Sequence, residues 1–480
     1  MKILLVYPPI SLWERYSSDI GHSGGRQIPL GVYYLASYVR QAGYDACVID
    51  GEAQGMTIAA VVEKAMEWGP DIVGISSTTV AFHRALETSR EIKARIPDIP
   101  VVVGGPHVTA LRGDVLNHRE FDFAVYGEGE ETLKELLDTL SGGGNLSSVK
   151  GLAFRHEGVP TINAARPFIA DMDDIPFPAH DLIADFTLYN PPPTNYKKLP
   201  VANVITSRGC PNRCTFCGHS SFGHTLRQRS PENIAAEIEL LYHRHHVREI
   251  AFVDDTFTIR PERIFELFKI LNRKEIHFPW TCMSRINTVD FETLKFMKDR
   301  GCWHISFGIE SGNADILRLI RKNISLPDAK KVLGWCHRLG IRTKGFFIIG
   351  HPGETLATIE QTIGAALALP LDDVVATLNT PLPGTEQYET AENYGSMGKG
   401  DWSRFNMWNP VFVPRGLTEE ILLRKHREFY RRFYLRPRIM ARYSLSFLSR
   451  AGVRRAVSVV KSIPFMFGRD QSRTRRNHAD

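Results

Sequence analysis

Short apolar runs and amphipathic stretches alternate along the first 140 residues. Residues 3–7, 46–49, 72–76, 101–103 and 123–126 are compact and β-rich, which predicts strands. Between them, residues 30–42, 58–68, 83–95 and 130–140 carry apolar positions at helical spacing, the first stretch ending at Gly43. Continuously apolar strands separated by helices predict a parallel sheet covered on both faces. Such sheets bind ligands beyond the carboxyl ends of their strands. Those ends read Ser76-Ser77-Thr78-Thr79, Gly104-Gly105-Pro106-His107 and Gly127-Glu128-Gly129-Glu130. Small and hydroxylated residues let a large ligand approach the backbone and offer it hydrogen bonds. The same residues also serve simple turns, and the pattern alone does not separate the two uses.

Residues 141–197 form a linker between Ser141-Gly142-Gly143-Gly144-Asn145 and a segment containing Pro191-Pro192-Pro193. Within it, residues 152–155 and 160–162 have the pattern of a hairpin across His156-Glu157-Gly158. The alternation resumes at Val201. Residues 201–206, 249–253, 280–283, 304–308, 343–349 and 373–378 predict six strands. Residues 231–243, 261–272, 290–300, 327–339 and 355–369 predict the helices between them. This is the pattern of a partial (β/α)6 barrel over residues 198–400, with its chemistry at the carboxyl ends of the strands.

Composition is that of a water-soluble protein, 43% hydrophobic and 23% charged. The N-terminal Met1-Lys2-Ile3-Leu4-Leu5 run is too short for a signal peptide and reads as a strand. No segment reaches roughly 18 uninterrupted apolar residues, so no spanning helix is expected. Residues 415–480 carry 17 Lys/Arg against 5 Asp/Glu, a net charge of +12, so the other residues sum to −6 within the total of +6. Residues 401–480 thus predict a helical, basic C-terminal region, with Phe429-Tyr430-Arg431-Arg432-Phe433-Tyr434 at its centre. Arginines among Ile439, Met440, Tyr443, Leu445, Phe447 and Leu448 suit a helix on an anionic membrane surface. They equally suit a helix packed on the barrel. A nucleic-acid contact is disfavoured, because no recognisable binding module accompanies them.

Of seven cysteines, Cys210, Cys214 and Cys217 lie within eight residues, and Cys47, Cys282, Cys302 and Cys336 are scattered. That is no disulfide framework, and it points to a reducing, cytoplasmic setting. Ser207-Arg208-Gly209-Cys210-Pro211-Asn212-Arg213-Cys214-Thr215-Phe216-Cys217 places Cys-x3-Cys-x2-Cys directly after the first barrel strand. Three thiolates on one loop can bind three irons of a [4Fe–4S] cube and leave the fourth open to an external ligand. The competing readings are core cysteines and a zinc site, for which His219 is the only nearby fourth ligand.

The spacing and its place in the barrel resemble the radical S-adenosylmethionine (SAM) superfamily. The resemblance implies that the open iron binds SAM, whose reductive cleavage gives a 5′-deoxyadenosyl radical. It places Phe216, Ile349 and Gly350 near the adenine, Arg285 at the SAM carboxylate, and Glu310 at the ribose or amino acid part. Asp254, in Phe252-Val253-Asp254-Asp255, joins the set as a strand-end carboxylate. No residue stands out as a catalytic acid or base.

The order of sheet domain and barrel is similar to the cobalamin-binding branch of that superfamily, which contains anaerobic magnesium-protoporphyrin ester cyclase and hopanoid methylase-like enzymes. Matching stretches are Ile28-Pro29-Leu30-Gly31-Val32-Tyr33-Tyr34, Val103-Gly104-Gly105-Pro106-His107 and Tyr126-Gly127-Glu128-Gly129-Glu130. The implied fold is α/β: a doubly wound, Rossmann-like cobalamin-binding domain over residues 1–140, a partial (β/α)6 radical SAM barrel and a helical basic tail. Ser76, Ser77, Thr78, Gly104, Gly105, His107, Gly127 and Glu128 are the implied cobalamin-binding residues. Many cobalamin domains use Asp-x-His-x-x-Gly for a lower cobalt ligand. Here Asp19-Ile20-Gly21-His22-Ser23-Gly24 is one residue out of register, so His22 and His107 read as loop residues.

The implied function is methyl transfer to an unactivated carbon of a hydrophobic small molecule, of lipid or tetrapyrrole class. A flavodoxin or ferredoxin is the implied electron donor. Oxidative cyclisation or rearrangement with the same cofactors is the alternative. A non-catalytic cobalamin or light sensor sits poorly with three intact cluster cysteines.

Overall fold

The strands form where the apolar runs lie, and their two faces are covered separately. In this computed structural model, β1 (Lys2–Tyr7), β2 (Asp45–Asp50), β3 (Ile72–Ser76), β4 (Val101–Gly104) and β5 (Phe123–Val125) are parallel, in the order β2-β1-β3-β4-β5. Ile3 and Leu5 pack with the helices Leu30–Gln41 and Glu130–Gly142, while Leu4 and Val6 pack with Ile58–Trp68 and Phe82–Arg95. Burial on both faces is why these strands read as continuous rather than alternating. The chain reverses its strand order between β1 and β3, which opens a crevice at the carboxyl edge.

The hairpin β6 (Leu152–His156) and β7 (Val159–Ile162) adds two antiparallel strands beyond β5, with Phe123 opposite Phe154. Glu157 and Gly158 both have positive φ, 50° and 82°, as a two-residue hairpin turn requires. Part of the segment read as a linker therefore belongs to the first sheet.

The second sheet is β8 (Val201–Val204), β11 (Glu249–Phe252), β12 (Trp280–Ser284), β13 (Cys302–Glu310), β14 (Arg342–Ile349) and β15 (Asp373–Leu378). These strands are parallel in sequence order, an open barrel. After β8, the short strands β9 (Ser207–Arg208) and β10 (Arg227–Gln228) close an antiparallel ribbon. Side-chain caps from Ser230, Asp290, Ser325 and Thr355 start four of the crossover helices.

The helix Glu419–Tyr434 lies against β15, the open edge of this barrel. Leu422, His426, Phe429, Tyr430 and Phe433 form its buried stripe at helical spacing. The Tyr430 hydroxyl accepts from the Ala376 amide (3.0 Å), and Tyr430 and His426 reach the Ala376 carbonyl at 2.9 and 2.7 Å. The free backbone edge is thereby satisfied. This stretch of the basic tail packs on the barrel.

The structure describes residues 1–16, 24–445 and 463–467, with Val453 and Val457. Residues 19–23, including His22, lie outside them, as do Phe447, Leu448 and Arg450 of the tail. Among the described residues, no helix is long and apolar enough to cross a membrane.

Candidate active site

The cysteine loop leaves β8 and is pinned by the β9–β10 ribbon. Gly209 precedes it at φ 87°, where an added Cβ would lie 2.2 Å from the Thr225 carbonyl oxygen, so only glycine fits. Cys210 is half-buried, Cys214 buried and Cys217 exposed. Asn212 donates to the Cys210 sulfur at 3.3 Å, and Arg285 Nη1 to the Cys214 sulfur at 3.5 Å. A hydrogen bond from Cys217, opposed by burial and aided by the Lys322 and Arg285 charges, brings the Cys214 thiol down to about 6. The same contact pushes the Cys217 thiol up. Thiols held among cations suit the thiolate ligands of an iron–sulfur cluster. Among the described residues, no three His, Cys, Asp or Glu side chains gather as a single-ion site.

A polar wall stands beside this loop. Glu310 ends β13 at φ 68°, and its carboxylate pairs with buried Lys322 at 2.7 Å. Gly308 leaves room for that pair, since a Cβ there would meet Glu310 Oε1 at 2.3 Å and Lys322 Nζ at 2.4 Å. Arg285 donates to the Lys322 carbonyl. Lys322 lies 5.8 Å from the Phe216 ring, and Phe216 lies 5.7 Å from His351. The wall therefore gathers Phe216, Arg285 and Glu310 with Lys322 and His351, two residues the sequence did not single out. Both His351 ring nitrogens are buried without a hydrogen-bond partner, as is Glu354 Oε1. Orphaned polar atoms beside an ion pair fit a bound nucleoside with amino acid charges.

Ile349 is fully buried, and Gly350 turns at φ 89°. The Glu354 carboxylate accepts from the Gly350 and His351 amides at 2.6 and 3.1 Å. Asp254 is consumed beneath the loop: it accepts from the Thr206 amide and hydroxyl (3.1 and 2.8 Å) and from the Ser207 hydroxyl. Its neighbour Asp255 faces the cavity instead.

Burial pushes Glu354 up to about 8, against the two backbone donors that favour its charge. The folded state thus holds a proton that the unfolded chain releases near 4.5, and stability falls as pH rises across that window. Glu354→Gln is expected to become more stabilising relative to the parent from pH 4.5 to about 8 and constant above. Urea unfolding at about pH 5, 7 and 9 checks this, and a constant difference across that range would contradict it.

A cavity of about 1020 Å³ runs from the carboxyl edge of the first sheet into the barrel interior. Ser76, Thr78, Gly104, Gly105, Gly127 and Glu128 line it, as do Arg15 and Glu52, which the sequence did not single out. Gly105 sits at φ 100°, with an added Cβ 2.6 Å from the Ser77 carbonyl oxygen. Ser77 and His107 do not reach the cavity. Ser77 is buried with its hydroxyl on the Thr78 carbonyl. His107 packs between Phe82 and Trp402, ring centres 4.4 and 5.0 Å away, and burial lowers it to about 4.

Glu128 lines the cavity but its charge is spent elsewhere. It accepts from Arg208 (2.9 Å), from Arg227 (2.9 and 2.8 Å) and from the Ile169 amide (2.8 Å). Arg208 also pairs with Glu130 at 2.6 Å. This buried network ties the sheet edge to the strand that launches the cysteine loop. A glycine-lined, hydroxyl-bearing cleft facing a barrel mouth fits a large planar cofactor.

The known proteins that the chain resembles agree with this geometry. Residues 204–366 match the radical SAM superfamily, and residues 17–137 the B12 binding domain. An uncharacterized methyltransferase of Pyrococcus horikoshii is 36% identical over 446 residues, 92% of this chain and 94% of that one. The anaerobic magnesium-protoporphyrin IX monomethyl ester cyclase of Cereibacter sphaeroides is 30% identical over 452 residues, 91% of this chain and 71% of that one. Among solved structures, the cobalamin-dependent SAM radical enzyme OxsB with aqua-cobalamin bound matches 95% of this chain and 72% of its own, at a TM-score of 0.73 and 17% identity. The radical SAM methyltransferase TsrM of Kitasatospora setae, with cobalamin and a [4Fe–4S] cluster, matches 89% and 81% at 0.65 and 19%. From the cysteine loop, the facing sheet edge and these relatives together, the chain belongs to the radical SAM enzymes with a cobalamin-binding domain, whose cofactors are a [4Fe–4S] cluster, SAM and cobalamin.

Proposed function

We propose that this enzyme transfers a methyl group to an unactivated carbon of a hydrophobic small molecule, of lipid or tetrapyrrole class. The observation that carries the reading is one continuous cavity, running from the sheet edge into a barrel walled by Phe346, Val375, Trp408 and Phe465. On this reading Cys210, Cys214 and Cys217 hold the cluster. Arg285 and Lys322 meet the SAM carboxylate, Glu310 orients the ribose or amino acid part, and Phe216, Ile349 and Gly350 flank the adenine. Asp254 acts through the turn it braces. Ser76, Thr78, Gly104, Gly105 and Gly127 cradle cobalamin beside Glu128, with Ser77 and His107 supporting them from behind. When bound, these groups supply hydrogen-atom abstraction and a transferable methyl. The chain's own part is to orient them and keep water out with its apolar walls.

The same proposal divides the chain at 1–140, 141–197, 198–400 and 401–480, with the hairpin joined to the first unit. Exposed Arg213, beside Cys214 and Cys217, would receive an acidic electron carrier of flavodoxin or ferredoxin type. Exposed Leu435 and Met440 near Arg438 would give peripheral membrane contact.

The similarity to the Cereibacter cyclase favours a second reading, ring closure of a tetrapyrrole ester. Product mass separates the two. With the cluster rebuilt anaerobically and SAM, reductant and hydroxocobalamin present, methyl transfer is expected to add one carbon to a lipid or tetrapyrrole. It should release 5′-deoxyadenosine and S-adenosylhomocysteine together. A product of unchanged carbon count supports cyclisation. No SAM cleavage, with iron and cobalamin both bound, would leave only a sensor.

A further inference from the structure

The barrel interior carries a second group of polar side chains, away from the cysteine loop. Inward-facing positions alternate along barrel strands. The cavity face takes Asn203 from β8, Thr281 from β12, Ser306 from β13, Lys344 from β14 and Asp373 from β15. Register joins them into a belt through β13: Asn203 and Thr281 both pair with Ala251, Thr281 pairs with His304, which also lines the cavity two residues before Ser306, and Ser306 pairs with Lys344, which pairs with Asp373. Thr281, Lys344 and Asp373 lie within the first three residues of their strands, at the end of the barrel opposite the cysteines. Asn203, Thr281 and Ser306 are 4%, 8% and 7% exposed, and their side chains have no hydrogen-bond partner among the described residues.

We infer that this belt binds a neutral, hydrogen-bonding end of the substrate, an amide or hydroxyl group, while the apolar remainder reaches toward the cysteine loop. The inference rests on the methyl-transfer reading and adds the chemistry of the group that anchors the substrate. Buried polar side chains left without protein partners are matched by a ligand that both donates and accepts, as Asn203, Thr281 and Ser306 do.

The charges exclude ionic ends. Lys344 donates to Thr194 (3.0 Å) and Asn195 and forms an ion pair with Asp373 (3.4 Å). Tyr434 donates to Asp373 from the other side. A carboxylate or phosphate arriving here would meet Asp373, beside a Lys344 already paired with it, and an ammonium would meet Lys344. On the sheet side of the cavity, Arg15 is matched by Glu52, and Arg208 by Glu128 and Glu130. Asp255 follows β11, at the carboxyl end of the barrel.

Equilibrium dialysis of the holoenzyme, with cluster and cobalamin bound, tests this with octanamide, octanoate and octylamine as probes. Octanamide is expected to be retained at least about tenfold more tightly than either ion. Thr281→Val keeps the side chain's shape, and Ser306→Ala removes one hydroxyl. Both are expected to bring the three probes toward parity while iron content and the cobalamin spectrum stay at parental values. If either variant loses those signatures, the other carries the comparison, and the parental selectivity stands as a reading by itself. Octanoate or octylamine binding as well as octanamide overturns the inference. So does retention of no probe, or selectivity unchanged in both variants. Dialysis needs no turnover, so its failure is distinct from a failed product-mass assay.

Discussion

Replacing Cys214 by alanine is expected to abolish iron binding and SAM cleavage together, while cobalamin binding survives. Cys214 is buried and receives Arg285 at 3.5 Å, with Lys322 also contributing positive charge. Such surroundings stabilise a thiolate; Cys282, Cys302 and Cys336 are buried in the core, and His219 beside the loop would offer an imidazole rather than a thiolate. Burial pushes the Cys282 and Cys336 thiols up, away from ligand chemistry. Iron content after anaerobic reconstitution should fall to background, and 5′-deoxyadenosine below detection. The cobalamin spectrum should persist, because Ser76, Gly104 and Gly127 line a different part of the cavity. Cys336→Ala is the matched control and should retain parental iron. Full iron in the Cys214 variant would remove that residue from the ligand set.

How far the sequence revealed this arrangement depended on whether a feature is local. Residues 72–76 and 373–378 read as strands to the residue, because their apolar runs have clear boundaries. The hairpin at 152–162 was legible as a hairpin, but its pairing with β5 is a contact between distant segments that no local pattern encodes. Strand β13 runs beyond the expected 304–308 at both ends, held by buried Cys302 and Trp303 at one and by the Glu310–Lys322 pair at the other. The left-handed conformation of Glu310 belongs to that tertiary pair.

At the sheet edge, Ser76, Ser77, Gly104, Gly105 and His107 carried the same signal, yet Ser77 and His107 turn away from the cavity. Their direction follows from the left-handed turn at Gly105, which presses against the Ser77 backbone. Lys322, Lys344 and Arg208 were unremarked because a lone basic residue has no meaning until its buried partner is known. Composition did register the basic tail, but only packing shows that its first helix seals the β15 edge.

Arg208→Met is expected to destabilise the protein by about 3–5 kcal/mol, the cost of removing one partner from a buried ion pair. Arg208 is 4% exposed and bridges Glu128 and Glu130, which are nearly as buried. Without it Glu128 keeps Arg227, but Glu130 loses the cation within hydrogen-bonding distance. A surface pair removed in the same way would cost about 0–1 kcal/mol. The pH dependence identifies the cause. In the parent, burial pushes Glu130 up, and the Arg208 charge and hydrogen bond more than offset it, leaving the carboxyl lowered. That contribution is present above the ordinary carboxylate range and is lost as pH falls through the lowered folded value. In the variant burial acts with far less opposition, Glu130 rises, and protonation relieves the buried charge. The deficit relative to the parent should therefore shrink as pH falls from about 7 to about 5. Arg208 also stacks on Tyr34 and Phe222, at 5.3 and 5.1 Å. If lost packing were the whole cost, the deficit would not change with pH. Arg208→Met combined with Glu128→Gln and Glu130→Gln should recover part of the loss at about pH 7, which denaturant unfolding reads directly. Arg208 stands two residues before Cys210 and binds a carboxylate that lines the cavity. The network thus fixes the cysteine loop against the sheet edge. In the single variant, product formation should fall more steeply than SAM cleavage, because cleavage depends on the loop and the barrel wall beside it, whereas transfer depends also on the loop's distance from the sheet.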